Sequence, residues 1–182
     1  MRRPVLAAVL AGVLAVGCGG GPEVSGTEPA AGSTPAPLGT LTGGDPLPDV
    51  ELARLDGEGS VAMDELGGPA VLNFWATWCA FCVEEMPDLE EAHQAVGDDV
   101  RFVGIDREDP NVEAALALAS ETGVTYDLVA DPDGSFFRAV KARGMPTTVF
   151  VDADGVIRYR HAGPLTRDQL LELVEEHLGV RA

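Results

Sequence analysis

The folded part of the chain opens with a stretch in which apolar and polar residues alternate. Residues 47–55 follow the period of two that is typical of a half-exposed strand, and Asp56-Gly57 marks a turn. A short return strand is expected at Ser60–Ala62, so this segment predicts a β-hairpin. A helical turn at Met63–Leu66 follows, and Gly67-Gly68-Pro69 ends it.

Two apolar runs, each followed by a helical pattern, indicate parallel strands. Val71–Ala76 is apolar on both faces apart from Asn73, which is typical of a central strand. A helix is predicted over Val83–Val96. A second buried strand is predicted at Val100–Asp106, and a helix from Pro110 to Gly123 that has its proline near the first helical position. Strand–helix–strand units of this kind place their strands in parallel.

The C-terminal third predicts a different arrangement. A short edge-type strand is expected at Tyr126–Ala130, followed by a helix over about Ser135–Ala142. The strands Thr147–Asp152 and Val156–His161 form a predicted hairpin, and an amphipathic helix at Thr166–Leu178 ends the domain, with its first residue as N-cap. Parallel units followed by an antiparallel hairpin predict an α/β fold with a mixed central sheet.

The N-terminal residues have the pattern of a targeting segment. Residues 1–17 combine two arginines with fourteen uncharged apolar or small residues, which is shorter than the roughly 20 residues that span a bilayer and is typical of a signal peptide. Leu14–Cys18 resembles a bacterial lipobox, so we expect lipidation of Cys18. Residues 18–46 then form a predicted flexible linker of Gly, Pro, Ser and Thr, and residues 47–182 the folded domain. We therefore expect a lipid-anchored protein on the extracytoplasmic face of the cell membrane.

The net charge of the chain argues against some classes of binding partner. The formal net charge is −18, which argues against nucleic-acid binding and against a polybasic membrane patch. Cleavage before Cys18 removes two arginines and leaves 10 basic against 30 acidic side chains, a formal charge of −20. Anionic lipid repels such a domain, so the lipid anchor, and not electrostatics, would hold it at the membrane.

Two of the three cysteines, Cys79 and Cys82, lie where the central strand turns into a helix. Sulfurs three residues apart on a first helical turn share one face, and the helix N-terminus favours a thiolate at the first of them. A zinc site needs further ligands, and none of the three histidines is near in sequence. The pattern therefore predicts a redox dithiol with Cys79 as the attacking thiolate, Cys82 as the resolving thiol, and no metal or other cofactor. With the strand order, it indicates a thioredoxin-like three-layer α/β/α sandwich.

Two motifs give the chain a specific likeness. Asn73 to Pro87, with the pattern N-F-W-A-T-W-C-x-x-C-x-x-E-M-P, is similar to the active-site signature of the TlpA/ResA/CcmG family. Gly144 to Asp152 resembles that family's cis-proline loop and the strand after it. The likeness covers residues 47–179. It implies a membrane-anchored, extracytoplasmic thiol–disulfide oxidoreductase of thioredoxin fold.

The resemblance also implies roles for single residues. A glutamate at the position of Glu85 lies near the dithiol in ResA-like proteins and influences its protonation. The thioredoxins themselves place an acidic residue where this chain has Asn73, which gives Glu85 more weight as the proton acceptor. The bond before Pro146 is expected to be cis, with the loop against the cysteines.

A docking face for substrate is expected around the sulfurs. Trp78, Ala80 and Phe81 surround the cysteines in sequence, whereas Trp75 is expected in the core. In the family the dipeptide between the cysteines commonly contains proline, so Ala80-Phe81 is a departure that bears on the redox potential. From the cis-proline loop, Met145, Pro146 and Thr147 complete the predicted face, with backbone groups at Pro146 accepting a substrate strand.

The function that follows is reduction of disulfides in exported proteins. The resemblance implies apocytochrome c as a substrate and a membrane electron donor of the CcdA/DsbD type, and we expect a monomer. A disulfide-donating oxidase would use the same residues and stays open. A copper-binding chaperone of thioredoxin fold is a further alternative, although such carriers commonly use a C-x-x-x-C spacing. A peroxidase is disfavoured because the cysteine context that it needs is not seen.

Overall fold

The computed structural model of the protein describes residues 44–182, and these residues form eight strands and four α-helices. The strands are β1 (Asp45–Pro46), β2 (Glu51–Ala53), β3 (Ser60–Ala62), β4 (Ala70–Trp75), β5 (Arg101–Arg107), β6 (Asp127–Asp131), β7 (Thr147–Val151) and β8 (Val156–Ala162). The helices are α1 (Ala80–Val96), α2 (Val112–Thr122), α3 (Ser135–Ala139) and α4 (Arg167–Leu178). Short 3-10 turns follow β3 and α1.

Six strands form one mixed sheet in the order β1-β8-β7-β4-β5-β6. Strands β4, β5 and β6 are parallel, whereas β7, β8 and β1 add in antiparallel fashion on the other side of β4. The β2–β3 hairpin is a separate two-stranded sheet. The predicted mixed α/β sheet, with parallel units first and a hairpin last, is confirmed.

Strand β4 lies at the centre of the sheet, and its successive side chains point to opposite faces and into different hydrophobic clusters. Leu72 and Phe74 pack in one cluster with side chains of α3, while Val71 packs in a second cluster with α1 and α4. Because side chains alternate along a strand, Asn73 and Trp75 share the face of Val71. This register places one polar side chain of the central strand directly beneath helix α1.

The sheet begins two residues before the domain start that the sequence predicted. Residues 45 and 46, which composition assigned to the linker, pair with β8 as strand β1. The Asp45 carboxylate accepts hydrogen bonds from Lys141 Nζ at 2.9 Å and from Arg160 Nη2 at 3.1 Å. These contacts link residues about a hundred positions apart, so the composition of the linker contains no sign of them. The long N-terminal strand predicted for residues 47–55 is also shorter, since only Glu51–Ala53 forms a strand and Arg54 adds an isolated bridge to Val129.

Helix ends differ in three places from the sequence-based expectation, the first being α1, which begins at Ala80 and not at Val83. Helix α2 begins after Asn111, whose side chain accepts a hydrogen bond from the Ala114 N–H at 3.1 Å, so Pro110 lies outside the helix. Helix α3 ends at Ala139, three residues early, and Lys141 then has a positive φ of 61°. The cap predicted for the last helix is confirmed, because Thr166 and Gln169 form a capping box.

The predicted signal peptide, Cys18 and nearly all of the linker lie outside the described residues. Among residues 44–182, no helix combines the length and the apolar character needed to cross a bilayer.

Candidate active site

The two motif cysteines form a disulfide at the start of helix α1. The sulfur atoms are 2.01 Å apart and the Cα atoms 5.3 Å apart. Cys79 is the N-cap of α1, and its sulfur accepts the Cys82 N–H at 3.3 Å. Cys79 is 8 % exposed, whereas Cys82 is fully buried. Cys79 therefore keeps a small exposed area at the positive end of a helix, whereas Cys82 has none.

The residues around the sulfurs divide into a buried and an exposed set. Trp78 is 57 % exposed and Phe81 is 61 % exposed, and Ala80 between the cysteines is exposed as well. Trp75 is buried, as expected, and packs with both cysteines and with Met86. The exposed residues Trp78, Ala80 and Phe81 thus form an apolar rim around the disulfide, and the buried residues Trp75 and Met86 pack beneath it.

The cis-proline loop reaches the same cluster. The Met145–Pro146 peptide bond is cis, and the partly buried Met145 packs against the group that contains both cysteines. The Pro146 carbonyl already accepts the Gly163 N–H at 2.9 Å. Thr147 is buried, and its hydroxyl donates to the Gly144 carbonyl at 2.5 Å. Of the three predicted docking residues in this loop, Thr147 therefore offers no free side chain, and the Pro146 carbonyl is engaged within the chain.

Glu85 lies one helical turn after Cys82 and is buried between α1 and β4. One carboxylate oxygen accepts from Asn73 Nδ2 at 2.8 Å, and the other accepts the Leu165 N–H at 2.9 Å. Asn73 Nδ2 also donates to the Thr148 hydroxyl at 3.2 Å. Burial raises the pKa of Glu85 to about 7, although these two hydrogen bonds oppose the rise. The side chain can therefore exchange a proton near neutral pH.

A small surface cleft connects Glu85 to solvent. Its volume is about 200 Å³, and its walls come from α1 and from the segment before α4, namely Glu84, Glu85, Asp88, Pro164, Leu165 and Thr166. Glu85 is only 2 % exposed, so it lies at the inner wall. A proton held by Glu85 therefore has a short way to water through this cleft.

Comparison with known proteins agrees with this geometry. The family model "Redoxin" matches residues 42–175. The chain belongs to the Redoxin family. It is 35 % identical over 140 residues to the thiol:disulfide interchange protein DsbE of Escherichia coli strain K12, covering 75 % of this chain and 74 % of that protein. It is 30 % identical over 135 residues to the thiol-disulfide oxidoreductase ResA of Geobacillus thermodenitrificans, covering 72 % and 76 %.

A solved structure supports the same assignment of this Redoxin-family chain. A secreted Mycobacterium tuberculosis disulfide oxidoreductase homologous to E. coli DsbE superposes with a TM-score of 0.61 at 30 % identity, covering 70 % of this chain and 96 % of that one. The thioredoxin-like fold and the resemblance to the ResA and CcmG-like proteins are confirmed. The activity class, a thiol–disulfide oxidoreductase with a Cys-x-x-Cys centre, is confirmed as well.

One buried carboxyl group of this Redoxin domain was not predicted from the sequence. Asp106 ends the buried part of β5, is 3 % exposed, and has one oxygen without a hydrogen-bond partner among the described atoms. Burial, and then the charge of Asp109, raise the pKa of Asp106 to about 7. Asp106 pairs in register with Trp75, beside the cysteine cluster. The signal available in the sequence was an aspartate at the end of the apolar run of residues 102–105.

The histidines lie apart from the disulfide. His93 packs its ring against Phe102 and Tyr126, and His161 lies on β8 near Tyr159. In the part of the chain that the structure describes, no group of three or more His, Cys, Asp or Glu side chains has the arrangement of a metal site.

Proposed function

We propose that this protein reduces disulfide bonds of exported proteins through the reduced form of Cys79 and Cys82. The observation that carries the proposal is the Cys79–Cys82 pair at the α1 N-terminus, with only Cys79 in contact with solvent. The identity to DsbE and ResA adds support. Apocytochrome c with a disulfide in its haem-attachment motif is the substrate that we propose.

The chemistry is two successive thiol–disulfide exchanges. The Cys79 thiolate attacks one sulfur of the substrate disulfide, forms a mixed disulfide and releases the other substrate sulfur as a thiolate. Cys82 then loses its proton, attacks the Cys79 sulfur and releases the second substrate thiolate. The two substrate thiolates take up protons. Two electrons pass from the protein dithiol to the substrate disulfide, and Cys79 and Cys82 end as the disulfide seen in the structure.

We assign Glu85 as the proton acceptor for the buried Cys82. A thiol that is fully buried ionises only when a nearby base takes its proton, and Glu85 lies on α1 three residues further on. Its pKa of about 7 matches that task at neutral pH. The cleft beside Pro164 and Leu165 gives the proton an exit to water.

The docking face that we propose consists of the exposed rim and the cis-proline loop. Trp78, Ala80 and Phe81 surround Cys79 with accessible surface. Met145 packs against the cysteine cluster from the other side. Because the Pro146 carbonyl is engaged by Gly163, backbone contacts to a substrate strand would come from Met145.

The proposal also includes the membrane anchor of the domain and its electron donor. Lipidated Cys18 and the linker hold a monomeric domain at the extracytoplasmic face of the cell membrane, where a membrane dithiol donor of the CcdA/DsbD type restores the reduced state. The disulfide-donating oxidase runs the same exchanges in reverse, and a thioredoxin-fold copper chaperone would need tight metal binding by the reduced domain.

A defined substrate tests the direction of the reaction. The probe is a synthetic peptide with an intramolecular disulfide in a C-x-x-C-H motif. The reduced protein is expected to reduce it, a Cys82→Ser variant to stop at a mixed disulfide detected by mass spectrometry, and a Cys79→Ser variant to form none. Rapid oxidation of the dithiol peptide by the disulfide form, with no reduction in the other direction, would show an oxidase. Tight copper binding by the reduced domain would favour the chaperone.

A further inference from the structure

The exposed apolar surface extends beyond the rim of the disulfide. Among the described residues, four large apolar side chains are exposed, and two of them are Trp78 and Phe81 beside the cysteines. The other two, Val112 at 46 % and Leu116 at 37 %, lie on helix α2. Residues four apart on a helix are neighbours on one face, so these two side chains form a continuous apolar strip about 6 Å long.

Helix α2 is fastened to the loop that carries the cysteines. The Asp109 carboxylate accepts the Thr77 N–H at 2.8 Å and the Thr77 hydroxyl at 2.5 Å. Asp109 also accepts the N–H of Asn111, the N-cap of α2, at 3.2 Å. Ala115 from the same helix packs in the cluster that contains both cysteines. The apolar strip therefore lies on a helix that is held against the dithiol cluster.

The helices beside this surface are acidic and contain no Lys or Arg. Apart from the buried Glu85 and Glu90, helices α1 and α2 together contain five Asp or Glu side chains. Glu84 follows Phe81 by one turn, Glu113 adjoins Val112, and both are exposed. A second copy of this chain would bring the same acidic helices and be repelled. An occupant with its own Lys or Arg is attracted, and its apolar side chain can cover the strip.

We propose that the Val112–Leu116 strip is a second docking site for the substrate, which we infer to be an unfolded, cationic polypeptide segment with an apolar residue near its cysteines. The proposal rests on the proposed reductase function and names the substrate class for the same dithiol. Attack by Cys79 needs only the sulfurs of the substrate to reach the rim. The strip on α2 adds a contact that selects polypeptides over small disulfides.

Two peptides and one small molecule test this docking. Each peptide has one intramolecular C-x-x-C disulfide and a leucine a few residues away, flanked in one by lysines and in the other by glutamates. Hydroxyethyl disulfide is the small substrate, since it has neither a charge nor an apolar side chain that could engage α2. Oxidation of the reduced protein is followed by stopped-flow tryptophan fluorescence. The variants are Val112→Thr with Leu116→Gln, and Ala117→Gln on another exposed face of α2 as the control.

The double variant is expected to reduce the lysine peptide about tenfold more slowly, which corresponds to the partial exposure of two aliphatic side chains, and to reduce hydroxyethyl disulfide at the wild-type rate. The control variant keeps both rates. For the wild-type protein, the lysine peptide is expected to react faster than the glutamate peptide, and that preference is expected to weaken as salt increases. The wild-type comparison does not depend on whether the variants fold.

The possible outcomes distinguish failure of the docking site from failure of the reductase function. Equal rates of the double variant and the wild-type protein with the lysine peptide, or no preference between the two peptides, would overturn the docking site while the reductase function stands. Failure of the reduced wild-type protein with hydroxyethyl disulfide and with both peptides would overturn the reductase function itself. A loss of rate that is equal for the small disulfide and the peptide would place the defect at the dithiol and also refute docking on α2.

Discussion

Replacement of Glu85 by glutamine is expected to change how stability depends on pH. Burial raises the pKa of Glu85 from 4.5 to about 7, so the folded protein keeps a proton that the unfolded chain releases at lower pH. Stability from this group is complete below pH 4.5 and is lost as pH rises towards 7. The difference between the pKa values of 4.5 and about 7, at about 1.4 kcal/mol per pH unit, corresponds to roughly 3 kcal/mol of folding free energy.

Glutamine has nearly the shape of the protonated acid and does not titrate. It keeps one acceptor oxygen, so one of the two hydrogen bonds from Asn73 and Leu165 is lost, at about 1 kcal/mol at every pH. The wild-type protein should therefore lose about 2–3 kcal/mol relative to Glu85→Gln between pH 5 and pH 8. Asp106 titrates in the same range in both proteins, so its effect cancels in the comparison.

Urea unfolding at a series of pH values measures this difference. The relative shift of the unfolding midpoint is expected to be about 1 M urea across the range. The exposed neighbour Glu84 supplies the matched control, since Glu84→Gln should follow the wild-type protein at each pH. Parallel pH profiles for the wild-type protein and Glu85→Gln would refute a buried, protonated Glu85 and with it the proton transfer assigned to this residue.

Two further substitutions test the surroundings of the dithiol. Asp106→Asn is expected to stabilise the protein by about 2–4 kcal/mol at pH 8 and not at pH 4, because the raised pKa of Asp106 makes its ionisation costly only as pH rises. Urea unfolding at pH 4 and at pH 8 measures this difference, and an equal effect of the substitution at the two pH values would contradict it. Trp75→Ala should lose about 3–5 kcal/mol of stability because Trp75 is buried, whereas Trp78→Ala should change stability by less than about 0.5 kcal/mol. Trp78→Ala should still slow peptide reduction, and an unchanged rate would remove Trp78 from the docking face.

Local sequence patterns predicted the parts of this fold that local chemistry determines. The apolar run around Asn73 identified β4 as the central strand, because a strand covered on both faces needs apolar residues at successive positions and not only at every second one. The Thr166 cap was predictable because its partner Gln169 lies three residues away. The cysteine pair was predictable because its spacing and its place after a strand are both local features.

The features that the sequence did not reveal depend on contacts between distant segments. Strand β1 pairs with β8, and its Asp45 contacts Lys141 and Arg160, but no residue of the linker indicates these partners. The raised pKa of Asp106 depends on its burial beside β4 and on the nearby charge of Asp109. Whether Val112 is exposed or buried depends on how α2 packs, and the helical pattern alone does not determine it.

The reduction potential of the Cys79–Cys82 couple tests the central claim most directly. The protein is equilibrated at pH 7 with dithiothreitol or glutathione buffers of stepped ratio, and the oxidised fraction is counted by thiol alkylation and mass spectrometry. A reductase is expected to have a value below about −200 mV, towards the −270 mV of thioredoxin. A value near about −120 mV, that of a strongly oxidising thioredoxin-fold protein, would contradict a reducing role and make the protein a disulfide donor.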